Sequence, residues 1–64
     1  MKDFIFVKDA LTNKPMIIRK SMICSVEERT KDGTQVSQIN YIDNRPPEYV
    51  LDSLNNILNA LESS

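Results

Sequence analysis

No histidine and no tryptophan occur in these 64 residues, and cysteine and glycine occur once each. Each shortage excludes a chemistry. Without histidine, Cys24 has no imidazole base to activate it, and one thiolate among scattered carboxylates does not make a closed zinc site. A lone cysteine forms no intrachain disulfide. Gly33 on its own gives no glycine-rich loop to cradle a phosphate or a dinucleotide. No apolar run approaches the roughly 18 residues that read as a membrane-spanning helix, so no membrane partner is expected. The start, MKDFIFVK, carries Asp3 and lacks a small-residue cleavage pattern, which argues against a signal peptide. With a free thiol as well, the expected location is cytoplasmic. No catalytic, metal or cofactor-binding residues are expected.

What is present is a globular composition. Apolar residues make up 41% and charged residues 27%, which excludes the disordered and fibrous classes. Eight basic residues oppose nine acidic ones, for a net charge of -1, and this balance argues against a dedicated nucleic-acid binder. The charge is unevenly distributed. Residues 1–45 carry all eight basic and six acidic residues, whereas residues 46–64 carry only Glu48, Asp52 and Glu62. A net +2 body therefore meets a net -3 end, an arrangement that helps the two parts pack.

The length sets an energetic bound. A chain of this mass buries about 60% of its extended surface, a hydrophobic gain on the order of 95 kcal/mol. Ordering the chain at about 1.5 kcal/mol per residue costs on the order of 95 kcal/mol as well. One core alone leaves such a fold marginal. Disulfide and zinc being excluded, association with a partner or a second copy remains as the source of added stability.

The patterning predicts a small antiparallel β-sheet of three to four strands, followed by one C-terminal amphipathic helix packed on it, in the α+β class. Phe4 to Val7 reads as a strand with both faces partly covered. Thr12-Asn13-Lys14-Pro15 is a turn signal, and Met16 to Arg19 is the next β-rich run. After a small bend at Ser21, Met22, Cys24 and Val26 alternate with Ile23, Ser25 and Glu27, which predicts one apolar face and makes Cys24 a buried structural thiol. Asp32-Gly33 predicts a hairpin between residues 22–29 and 34–42. In its second arm Val36, Ile39, Tyr41 and Ile42 break parity, so either a bulge falls near Gln38 or both faces are partly covered.

A single domain over 1–64 follows, with strands over 3–42, a Pro-Pro linker over 43–46 and a helix over 47–62. Pro47 suits a first helical position, and Glu48 suits the first turn, although no capping residue precedes Pro47. Val50, Leu51, Leu54, Ile57, Leu58 and Leu61 fill a stripe about 120° wide. Leu54, in mid-stripe, is the helix position where truncation to alanine should hurt most, by roughly 2–5 kcal/mol.

Two groups of residues are candidate sites. Lys8, Lys14, Arg19 and Lys20 are brought near one another by a first hairpin and could form an anion or nucleic-acid patch, although solvated strand residues guarding an edge are the commoner arrangement. Tyr49 projects about 140° from Leu54 on a helical wheel and lies beside Arg45 and the two prolines, so Arg45 and Tyr49 are candidate interface anchors, although packing of Tyr49 on the adjacent hairpin loop is the commoner arrangement. Glu27 and Glu28 would point to opposite faces of a strand, so they cannot act as a carboxylate pair.

Two segments carry a family resemblance. Ile23-Cys24-Ser25-Val26-Glu27-Glu28, followed by Thr34, and Glu48-Tyr49-Val50-Leu51-Asp52-Ser53-Leu54 resemble the IxxIEE…T and EEVIEKI-type segments of the small FlbD-like flagellar proteins. The resemblance spans residues 4–58. It departs where that family has a glycine-containing turn before its final strand and this chain has Ile39 to Ile42 and then two prolines. No site residue carries over. The resemblance implies a regulatory or accessory role through protein interaction. Together the features predict a non-enzymatic protein-interaction or homo-oligomeric accessory module without cofactors, whose partner is a protein, self or heterologous. A weak nucleic-acid-associated protein using the basic patch is the alternative.

Overall fold

Apolar alternation builds the first hairpin. In the computed structural model, which describes residues 3–63, β1 (Phe4–Lys8) pairs antiparallel with β2 (Pro15–Arg19). Ile5, Val7 and Ile18 are buried and Met16 packs beside them, while Phe4, Phe6, Lys8, Pro15, Ile17 and Arg19 share the other face. The connecting turn is held by Asp9, whose Oδ1 accepts from the Leu11 N–H at 2.7 Å. Asn13 there takes the left-handed conformation, φ 61°.

A short 3-10 helix over Lys20–Met22 leads into the long hairpin of β3 (Ile23–Lys31) and β4 (Thr34–Tyr41). Asp32 and Gly33 both have positive φ, 52° and 79°, as the tight turn requires. Of the two alternatives for the second arm, no bulge falls near Gln38; the register shifts in β3 instead, between Ile23 and Ser25. Cys24 is the extra residue of this bulge and is exposed, which corrects its expected burial. The bulge resets parity, so Ile23 and Val26 are the β3 residues packed on the core. In β4 both faces are partly covered: Val36 and Ile39 have opposite parity and both are buried.

The C-terminal part departs most from expectation. Residues 48–50 form a fifth strand, β5 (Glu48–Val50), antiparallel to β4, and helix α1 spans Leu54–Glu62 rather than 47–62. The stripe that starts at Val50 is thus two elements joined by a bend. Strand pairing satisfies the second edge of β4, and the cap missing before Pro47 is supplied by Ser53, whose Oγ accepts from the Asn56 N–H at 3.2 Å. An Asp9–Val50 bridge connects the two-stranded and three-stranded sheets. It is flanked by Leu51 N–H to Lys8 O and Ala10 N–H to Tyr49 O, at 2.8 and 2.9 Å. Helix α1 packs on β1 and β3, and the core comprises Ile5, Val7, Ile18, Ile39, Val50 and Ile57. The α+β architecture with a C-terminal helix on antiparallel sheet is as expected, with five strands in place of three or four. Among the described residues, no helix is long and apolar enough to cross a membrane.

Candidate interaction surface

The outer faces of the two sheets differ in kind. On β3 and β4, Arg29 donates to Gln38 at 3.1 Å and to Glu27 at 2.9 Å. Gln38 donates to Asn40 at 2.8 Å, and Asn40 donates to Ser25 and Glu27 at 3.0 and 2.9 Å. Each side chain of this ladder is satisfied by its neighbours, which makes a well-solvated face with little to offer an apolar partner. Glu28, separate from this ladder, accepts from Gln35 at 2.7 Å. The two glutamates thus belong to different groupings.

The outer face of the β1–β2 hairpin is apolar. Phe6 and Ile17 are directly opposed across the strands and are 62% and 49% exposed. Phe4 lies two residues from Phe6 on the same face, with the Arg19 guanidinium 4.8 Å from its ring centroid. Lys8 and Pro15 close the other end. Other exposed apolar side chains, such as Leu11, Ile42 and Leu58, are spread over separate elements and need no special account.

β2 also has a free edge. Asp9 N–H to Lys14 O and Lys20 N–H to Asp3 O mark two hydrogen-bonded pairs of the ladder, at 2.9 and 2.8 Å. Counting in steps of two along the register, Met16 and Ile18 exchange bonds with β1. The N–H groups of Ile17 and Arg19 and the carbonyls of Pro15 and Ile17 therefore point away from it, while the Arg19 carbonyl serves the first turn of the 3-10 helix. Beside that edge runs an open groove of about 650 Å³, lined by Met16 to Arg19 on one side and by Tyr41, Arg45, Pro46, Pro47 and Glu48 on the other.

The four basic candidates do not form one patch. Lys8 and Arg19 lie at opposite ends of the hairpin face, four strand positions or about 13 Å apart, with Phe6 and Ile17 between them. Lys14 is in the turn before Pro15. Lys20 is drawn elsewhere: its Nζ donates to the Ser63 carbonyl at 2.7 Å, a cation at the negative end of α1.

Arg45 and Tyr49 are separated as well. Tyr49 belongs to β5, not to a helix, and its ring lies under the Lys31 ammonium, 4.4 Å from the centroid. Arg45 stacks over Tyr41 at 4.8 Å and grips Asp43 through Nε and Nη2, with contacts of 2.9–3.1 Å. These bonds hold the Asp43 carboxyl below the ordinary carboxylate range and raise the Arg45 guanidinium further. Burial, reinforced by the nearby Glu48 charge, pushes the Tyr41 phenol above its ordinary value, against the pull of Arg45. Arg45 thus remains beside the β2 groove, while Tyr49 lies apart from it.

Phe6 and Ile17, the centre of this surface, are not among the candidate residues that the sequence marks. A signal was present in FIFV, since strict alternation puts both phenylalanines on the face opposite Ile5 and Val7. No family model, curated protein or solved structure matches the chain.

Proposed function

We propose that this chain is a non-enzymatic protein-interaction module that works as a homo-oligomer, with the outer face and free edge of the β1–β2 hairpin as its contact surface. The observation that carries this reading is the contrast between the two sheets. One outer face is a self-satisfied polar ladder, and the other presents Phe6 and Ile17 to solvent beside an unpaired edge. Pairing at that edge sets the apolar side chains beside it against those of a second copy, which adds buried area to a fold whose single core leaves it marginal. The folded surface of 4508 Å² is no smaller than the scaling value of about 4,200 Å² for this mass, so burial within one copy does not exceed the ordinary amount. A reducing compartment such as the cytoplasm suits the exposed Cys24 thiol. The resemblance to FlbD-like accessory proteins points in the same direction.

Size-exclusion chromatography with light scattering tests the proposal. The mass should rise above the 7.3 kDa of one chain as concentration increases through the micromolar range. A constant monomer mass would remove the homo-oligomeric reading.

One observation favours a second reading. Lys8 and Arg19 lie at the two ends of a face that carries Phe4 and Phe6, and aromatic rings beside cations can stack the bases of single-stranded nucleic acid. It is the weaker reading, because Arg19 already stands over the Phe4 ring and Lys20 is turned to Ser63. It requires binding to an oligonucleotide that weakens steeply with added salt. No binding at low salt would eliminate it.

A further inference from the structure

Resting on the homo-oligomeric reading above, the geometry points to one occupant and one register for the β2 edge: the β2 strand of a second copy, antiparallel, with the two-fold axis at Ile17. The edge supplies the groups this pairing needs. Ile17 faces outward with both its N–H and its carbonyl, so it exchanges two hydrogen bonds with Ile17 of the second copy. Arg19 N–H then meets the carbonyl of Pro15, and the same bond recurs on the other side of the axis. As N-cap of the 3-10 helix, Arg19 already offers its carbonyl to that helix's first turn, so the missing N–H of Pro15 leaves no acceptor unpaired, and proline is tolerated as the first residue of a strand.

Side-chain faces select this register over its neighbours. With Ile17 on the axis, Met16 lies opposite Ile18 of the second copy, so the inward apolar face continues across the junction. The outward face also continues, as Phe6, Ile17 and their copies form one stripe. Arg19 lies opposite Pro15, and the two Arg19 side chains are offset by four residues, about 13 Å. Sliding the axis to Ile18 would set Met16 against Lys20 and bring the two arginines within two positions of each other. Sliding it to Met16 would place Pro15 against Ile17 twice and forfeit hydrogen bonds. The groove beside the edge, bordered by Tyr41 and Pro46, leaves space for the incoming strand. At the ends of the pairing Lys20 falls opposite Lys14. The Lys20 ammonium is already turned onto Ser63, so the repulsion is limited, and added salt should strengthen the dimer rather than weaken it.

Cysteine cross-linking of the full chain reads the register directly. The exposed native thiol is first removed by Cys24→Ser. In that background Ile17→Cys should oxidise to a disulfide-linked dimer, because opposed residues of a hydrogen-bonded pair have Cα atoms about 5.5 Å apart, within disulfide reach. Arg19→Cys alone should stay monomeric on a non-reducing gel, whereas a mixture of Pro15→Cys and Arg19→Cys chains should give the mixed dimer. Light scattering on the Cys24→Ser chain separates the two levels of the claim. A monomer at all concentrations overturns the homo-oligomeric reading itself. A dimer in which Ile17→Cys fails to link, or in which Arg19→Cys links to itself, overturns this register and leaves self-association standing.

Discussion

The Ser37 hydroxyl donates to the backbone carbonyl of Asp52 at 2.7 Å, tying the centre of β4 to the bend that separates β5 from α1. Ser37 is 1% exposed and is the one buried polar residue among those described. Its side chain anchors this bend to β4.

Replacing Ser37 by alanine should therefore cost about 0.5–1.5 kcal/mol, the usual net value of one hydrogen bond. Urea denaturation should show a lower midpoint with an unchanged slope. An unchanged midpoint would mean that the bond adds nothing to the fold.

The start of α1 makes a paired prediction. Ser53→Ala should destabilise the chain by about 1 kcal/mol through loss of the cap on the Asn56 N–H. Pro47→Ala, at an exposed position ahead of β5, should change stability by less than about 0.5 kcal/mol. Thermal melts of the two variants check this. The opposite ranking would indicate a helix beginning at Pro47.

Within α1 the burden falls on Ile57, which is 1% exposed and in the core, whereas Leu54 is only half-buried. Ile57→Ala should cost roughly 2–5 kcal/mol and exceed Leu54→Ala measured side by side. Far-ultraviolet dichroism in urea gives the comparison. Equal or reversed effects would contradict the packing of α1 on β1.

These residues also show where the sequence was legible. The Asp32-Gly33 turn, the first hairpin and the apolar stripe of the helix could be read because turn chemistry and periodicity are local signals. The β5 strand was not, because Val50 satisfies both a 3.6-residue stripe and a strand position. What decides between them is the unpaired edge of β4 and the bridge from Asp9, both long-range. Cys24 was misplaced for a similar reason, since a one-residue bulge inverts every parity assignment beyond it. The candidate surface was legible in part. Arg19 and Lys8 do share the hairpin face, but Lys20 is taken by the end of α1, a contact 43 residues away.

Tyr41 gives the fold a dependence on alkaline pH. Its phenol is raised in the folded chain by burial and by Glu48, so the neutral form is favoured by folding. That contribution is fully present below the unfolded phenol value of about 10 and is lost as pH rises through the folded value. In a Tyr49→Phe background, phenolate absorbance should titrate at higher pH for the folded chain than for the chain in denaturant. Glu48→Gln should move the folded midpoint down. A folded midpoint at or below that of the denatured chain would contradict the assignment.

The central claim is that self-association through the β1–β2 hairpin completes the stability of this small fold. Ligation of the native state by a second copy makes the melting temperature depend on protein concentration. The most direct measurement is therefore the thermal midpoint of the wild-type chain and of Ile17→Lys across the micromolar range. Ile17 is 49% exposed on a strand, so lysine there leaves the core untouched. The account predicts a midpoint that rises with concentration for the wild type and stays flat for Ile17→Lys. A flat wild-type midpoint, or an identical rise in both proteins, would contradict it.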